Sequence, residues 1–330
     1  PHVVVPAIMA QHLIPLWGLS GTEAGLMASA YSFGYMAAVP FLTTLTDRID
    51  ARRILLAGSA LSGLATIAFG LFAQGLWSAI PLWGLAGVGF AGAYMPGLKA
   101  LTDRLEPGEM SRSITFYTSS YSFGVGLSFL VAQVVADGFG WRAAFFVTGA
   151  GPLAMVAACL VMPAVTPPPT TRRLLDFRPV FRNRPALGYV FGYGAHCFEL
   201  YGMRTWVVAF WTFVVAAMLI ALSLSTAAAP ALLLALVAVH AVTINGDSGA
   251  LTSGMSQSAD PATRGATMAL HSSVGFGMSA LGAWGVGAAL DAAGGPASAS
   301  GWTAAFCLLA AGILTGPLFL WWSRRKAAAA

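Results

Sequence analysis

The chain has 330 residues, of which 57% are hydrophobic and only 9% charged, with a mean hydropathy of +0.75 and a formal net charge of +5. A soluble domain carries about 25% charged residues, so a water-covered globule is excluded and the chain reads as a membrane protein with many spans. The basic excess does not point to nucleic acid, because the basic residues lie in short loops between apolar runs.

In chain order, a short apolar run at 3–14 is followed by runs at 23–44, 54–74, 77–100, 113–136, 143–163 and 187–214. A short piece at 217–227 precedes runs at 231–256, 266–290 and 303–322. Most approach the ~20 residues that carry a helix across hydrocarbon. They are continuously apolar, whereas membrane strands alternate with period two. Backbone groups in lipid must bond internally, so the predicted fold is an all-α membrane bundle. "SGTE" at 20–23 is a capping box that opens the second run.

Two places break the pattern. The first run is half a span and opens on Pro1, which predicts that part of the first helix lies upstream. Residues 187–228 form about 42 apolar residues, or ~63 Å as helix, roughly twice the hydrocarbon thickness. A discontinuity is therefore expected near Ala216, with most of one span and part of the next absent.

Fifteen of the seventeen Lys and Arg fall in alternate loops or at the C-terminus, Arg142 lies on the other side, and Arg204 lies within a span. The positive-inside rule makes the basic side cytoplasmic, with the C-terminus there. The Pro- and Arg-rich stretch 164–186 divides an N-terminal bundle, 1–163, from a C-terminal bundle, 187–330. The two sides share a plan. "EPGEMSRSITFYTSSYSFGVG" (106–126) parallels "DPATRGATMALHSSVGFGMS" (260–279), and "WRAAFF" (141–146) parallels "WTAAFC" (302–307). Paired halves are a transporter pattern, with the substrate site between them. Cys159, Cys197 and Cys307 sit in apolar runs without CxxC spacing and read as small packed residues.

"TTLTDRIDARR" (43–53) joins the second and third runs and resembles the cytoplasmic signature of the major facilitator superfamily, Gly-x-Leu-Ala-Asp-Arg-x-Gly-Arg-Lys-Arg. Leu45, Asp47, Arg48, Arg52 and Arg53 match; Thr43, Asp50 and Ala51 depart from it. The resemblance implies a two-bundle helical transporter fold of twelve spans, of which about 10–11 segments are present. It also implies a cytoplasmic gate in which Asp47 docks on a helix N-terminus or an Arg of the other half. Arg48, Arg52 and Arg53 would take part, and Asp103 and Arg104 of the repeated "LTDR" (101–104) would join the network. The bland alternative is that these charges only set topology. "PLWGLAGVGFAGAYMPG" (81–97) resembles the fourth-helix pattern of the same superfamily. Trp83 stands there in place of the Arg linked to proton coupling. "SYSFGVGLSFLVAQ" lacks the Gly-Pro pair of drug–proton antiporters, which argues against that group.

Charges inside a bilayer cost about 2.5–3.5 kcal/mol on insertion scales and normally face a cavity or a partner. Glu199 and Arg204 are five residues apart, ~140° around a helix, and so do not share a face. His196 shares the face of Glu199. Those two are expected to line the central cavity, while Arg204 meets substrate or an acid of another helix. His240, Thr243 and Asp247 form one polar stripe, and Asp247 is expected to pair with Arg204 or take up a proton. His271 is a weaker candidate. Tyr31 with Tyr35, and Tyr117 with Tyr121, share helix faces and suit an organic substrate. For each of these, a buried polar network or ordinary packing is the alternative.

The predicted function is secondary transport of a small organic solute, with Arg204 pointing to an anion. The alternative is a non-transporting remnant that acts as scaffold or sensor. Expected partners are the solute, the lipid bilayer and a coupling proton or ion, with no nucleic acid, and the chain is expected to be a monomer in a bacterial inner membrane. No cofactor is expected. No ATP-binding glycine loop, HExxH, GxSxG or clustered metal ligands occur, so neither an enzyme nor a metal site is predicted.

Overall fold

The computed structural model describes residues 1–105, 110–167, 175–222, 246–260 and 263–324. Every regular element among them is helical. Six helical stretches of the described residues are long and apolar enough to cross a membrane.

The chain opens with α1 (Val4–Ile8), a π-helical turn (Met9–Leu13) and α2 (Ile14–Trp17). Pro15 withholds a donor from the ladder where the π turn gives way to α2. Gly18 then stops α2 in the left-handed region at φ 61°, a conformation that glycine adopts without steric cost. α3 (Gly21–Leu45) starts from the expected capping box: Ser20 accepts from the Glu23 N–H while Glu23 accepts from the Ser20 N–H.

Next come α4 (Ala51–Phe72), α5 (Leu76–Thr102), α6 (Met110–Phe139) and α7 (Trp141–Cys159). Only Gly140, at φ 88°, separates α6 from α7. After the short α8 (Arg178–Arg182), α9 (Arg184–Leu222) runs for 39 residues. It is followed by α10 (Gly246–Ser258), α11 (Arg264–Ala292), α12 (Ala299–Ile313) and α13 (Thr315–Arg324).

One expectation is corrected. Residues 217–222 do not stand apart from the preceding span, because α9 continues through Ala216 to Leu222; the rest of the 217–227 piece lies outside the described residues. No Gly or Pro lies between Thr205 and Leu222 to break α9, and its length is ~58 Å at 1.5 Å per residue. The last run is one apolar stretch long enough to span, Ala299–Ser323, as expected, with a single break in its helical ladder. Pro317 cannot donate to the carbonyl of Ile313, and the chain turns at Leu314.

Packing relies on small residues at helix crossings. α5 lies against α3 where Gly87 meets the Tyr31 carbonyl, and α11 lies against α9 where Gly282 meets the Phe198 carbonyl. A side chain at either glycine would drive the backbones apart, as in membrane helix pairs generally. α4 packs on α5 and α7, while α10, α12 and α13 pack on α9. The two groups meet chiefly where α3 runs antiparallel along α11. There Ser29 Oγ donates to Ala280 O at 2.6 Å, and Ser273 Oγ donates to Met36 O at 3.1 Å. Tyr35 stacks on Phe276 with centroids 3.7 Å apart. Large side chains such as Trp77, Phe123, Phe139 and Val161 stay exposed, as a lipid-facing surface requires.

Candidate functional site

A small cavity lies where four segments converge. His2 lines it from the chain start, Tyr31 and Ser32 from α3, Tyr201, Arg204 and Thr205 from α9, and Phe276 and Ser279 from α11. α9 presents Tyr201, Arg204 and Thr205 together because they fall within little more than one helical turn. Arg204 lies over the Tyr201 ring, its guanidinium carbon 5.1 Å from the centroid, within cation–π range. Its Nη1 is buried and has no hydrogen-bond partner among the described residues.

An aromatic cluster stands behind His2 and Tyr201, outside the cavity's own lining. Tyr121 Oη lies 3.1 Å from Tyr201 Oη and 3.2 Å from His2 Nε2. Tyr121 packs near Tyr94, and Tyr117 donates to the Tyr94 carbonyl at 2.7 Å. Phe90 stacks on His2 and on Tyr94. Tyr31 and Tyr35 are both buried. Tyr31 faces the cavity, whereas Tyr35 packs on Phe276 behind it.

The second-half candidates divide. His196 and Glu199 do not line this cavity; His196 is fully buried with its ring 5.8 Å from that of Tyr193, and Glu199 is half-buried. His271 stacks on Tyr193 at 3.9 Å, and its Nε2 lies 3.3 Å from Thr252 Oγ1. Thus His196 and His271 both flank Tyr193, away from Arg204. His240 and Thr243 lie outside the described residues, as does the side chain of Asp247.

At the basic end the charged motif residues also part company. Asp50 is the N-cap of α4, accepting from the Arg52 N–H at 2.9 Å. The same carboxylate accepts from Arg104 Nη2 at 2.9 and 3.0 Å and from the Val165 N–H at 2.9 Å. Arg104 also donates to the carbonyls of Ala100 and Pro163. Arg52 donates to the carbonyls of Cys159 and Leu160, at the end of α7. Burial pushes the Asp50 carboxyl up, but the Val165 N–H, the Arg104 guanidinium and the Arg52 N–H together hold it below its ordinary value of 3.8. This network ties α4, α5 and the segment after α7 together within the first half. Asp103 pairs with Lys99 on its own helix at 2.9 Å. Arg48 and Arg53 are exposed. Asp47 reaches toward the other half: its Oδ2 would lie 3.8 Å from a Cβ built on Gly265, at the N-terminus of α11.

The family model of the Major Facilitator Superfamily matches residues 3–208. The chain belongs to this superfamily. A probable sulfoacetate transporter, SauU, of Cupriavidus necator is 28% identical over 133 residues, 40% of this chain and 31% of that protein. The multidrug resistance protein MdtG of Yersinia enterocolitica is 32% identical over 153 residues, 44% of this chain and 35% of that protein. The chain thus spans about a third of the length of these curated relatives. Among solved structures, a bacterial homolog of the human lysosomal transporter Spinster, inward-facing and occupied, superposes with a TM-score of 0.61. It is 15% identical, with 98% of this chain and 93% of that chain covered. At that identity the likeness shows the fold alone. This superfamily member is accordingly a multi-pass membrane protein of a non-enzymatic family.

Several residues of this member escape a reading of its sequence. Asp50 stands where the superfamily signature has Gly, yet an Asp just before "ARRILL" is a helix N-cap signal. Tyr201 and Phe276 look like ordinary packing residues until their helices converge. Asp291, in the last turn of α11, accepts from the Gly21 N–H at 2.8 Å and from the Thr22 N–H and hydroxyl at 2.6 Å each. No local signal announces that contact, because its partners are about 270 residues away.

Proposed function

We propose that this superfamily member is a secondary carrier of a small organic anion, with two bundles, 1–163 and 187–330, rocking about the cavity that holds Arg204. The observation that carries the proposal is the buried Nη1 of Arg204, unpartnered among the described residues and facing a cavity lined from both halves. A guanidinium in that state is an open donor for a carboxylate or sulfonate. The rings of Tyr31, Tyr201 and Phe276 would cover the solute's apolar body. Asp47, at the N-terminus of α11, serves as the gate of the basic side, which the positive-inside rule makes cytoplasmic. His196 and His271, which flank Tyr193, are assigned to coupling, and Glu199, outside the cavity's lining, is assigned with them. Asp247 and His240 are assigned with them on sequence grounds.

The test is uptake of radiolabelled small carboxylates and sulfonates into proteoliposomes containing the purified protein. Arg204→Gln is expected to lower uptake at least tenfold without lowering the yield of folded protein. Uptake equal to that of the unsubstituted protein would remove the assignment. A non-transporting scaffold is favoured by one observation only: α9, at ~58 Å, is nearly twice as long as a bilayer core is thick. Substrate-independent background uptake for every anion tried would favour that reading.

A further inference from the structure

α3 and α11 lie antiparallel, and each ends in an aspartate that meets the other's beginning. At the basic end, Asp47 sits just beyond α3, beside the first residues of α11. At the opposite end, Asp291 in the last turn of α11 accepts three hydrogen bonds from the first residues of α3. We infer that Asp291 is a gating residue for the mouth opposite the basic side, closing it when its carboxylate caps α3 and opening it when that cap is released. The inference rests on the alternating-access reading above, but not on the identity of the solute.

Four features support it. First, the donors that Asp291 takes are those that the helix's own cap leaves free. Ser20 satisfies the Glu23 N–H, while the N–H groups of Gly21 and Thr22 have no partner within their helix. Second, the contact joins the two halves, whereas the Asp50 network lies within one. Third, the approach is close by construction: a Cβ on Gly21 would lie 2.7 Å from Asp291 Oδ1 and 2.9 Å from the Gly287 carbonyl. Only glycine at that position lets the carboxylate reach the helix end.

Fourth, Asp291 is placed unfavourably with respect to its own helix. An acid in a last turn faces the negative end of the macrodipole. Docked, it trades that repulsion for the positive end of α3 and three charge-assisted hydrogen bonds. Released, it keeps the repulsion and gains only water. The carboxylate therefore favours the closed arrangement of this mouth, as Asp47 does for the other. The two contacts bias the equilibrium between access states in opposite directions.

The experiment uses the full chain, with Cys159, Cys197 and Cys307 replaced by serine or alanine and Ser32→Cys as a reporter in the cavity. The protein is reconstituted in liposomes, and labelling by a membrane-impermeant thiol reagent is followed from each side separately. Asp291→Asn is expected to raise labelling from the side opposite the basic loops about fivefold and to lower it from the basic side. Asp47→Asn is expected to do the reverse. Thr22→Val, which removes one donor and keeps the helix, should act like Asp291→Asn but more weakly, and it serves if Asp291→Asn folds poorly. Unchanged labelling in both Asp291→Asn and Thr22→Val, or an equal change from both sides, would overturn the assignment of Asp291. A reporter that stays unreactive from both sides in every variant, Asp47→Asn included, would overturn alternating access as well. Loss of the anion assignment at Arg204 would leave these outcomes intact.

Discussion

Arg104 and Arg204 carry the same charged group in two very different settings. Arg104 donates to the Asp50 carboxylate and to the carbonyls of Ala100 and Pro163. Each of its three guanidinium nitrogens has an acceptor, and its position joins α5 to the N-terminus of α4. Arg204 rests on Tyr201 and keeps a buried Nη1 with no partner among the described residues. Burying a charge without full satisfaction is unfavourable for stability. The comparison teaches that the degree of satisfaction, more than the presence of charge in a buried place, separates a residue that holds the fold from one that awaits a ligand.

The largest effect expected from this contrast is on stability. Arg104→Ala leaves the Asp50 carboxylate, only 9% exposed, without its cation, and should cost about 3 kcal/mol. Arg204→Ala should change stability by less than about 1 kcal/mol, in either direction, because it removes an incompletely paired charge. Denaturation of the detergent-solubilised protein checks both, and equal losses at the two sites would break the comparison. Acid adds a second check. The folded Asp50 carboxyl lies below its ordinary value of 3.8. Its contribution is therefore present above the unfolded carboxylate range and is lost as pH falls through the folded value. Asp50→Asn should flatten the acid limb of the stability profile, and an unchanged limb would show that Asp50 does not set it.

Next in size is the geometry of the open donor. Arg204→Lys keeps the charge but replaces a planar fork by a point donor. The half-saturation concentration for the transported anion should rise about tenfold, or ~1.4 kcal/mol. If lysine served equally well, the site would be reading charge alone. Tyr121→Phe removes the hydroxyl that meets both Tyr201 and His2. It should weaken anion binding by about 1 kcal/mol, close to fivefold, with little change in stability. A stability loss as large as that of Arg104→Ala would move the tyrosine into the structural class.

How much of this was legible beforehand differs between the same two regions. The helical runs within the described residues, the capping box at Ser20 and the presence of Arg204 in an apolar run follow from continuous hydropathy and local chemistry, and the structure carries these. The signature 43–53 places charge at the basic end, but it does not say which charges cross between halves. Asp47 lies by α11, while Arg52 and Arg104 turn back into their own half; only the packing of α7 against α4 decides that. The cavity is less legible still. Arg204 and Tyr31 come from helices far apart in the chain, and Tyr201 gains its meaning from Tyr121. Span length leads one to expect a break near Ala216, whereas the absence of Gly and Pro from 205–222 lets α9 run on to Leu222.

The smallest expected effect tests the rule from its other side. Lys99 and Asp103 form an i,i+4 pair at 2.9 Å on α5, each side chain about a quarter to a third exposed (31% and 26%). Both belong to the charged end of the first half, and Asp103 sits in the repeated "LTDR" beside Arg104. If charge at this end mattered as such, Lys99→Ala would resemble Arg104→Ala. Exposed helical pairs contribute only about 0.3–0.5 kcal/mol, because water solvates either partner when the other is removed. Lys99→Ala should therefore shift the unfolding midpoint by less than 0.5 kcal/mol equivalent and leave anion uptake unchanged. A loss near that of Arg104→Ala would mean that Asp103 relies on Lys99 as Asp50 relies on Arg104. The line between the two kinds of arginine would then have to be drawn by something other than satisfaction.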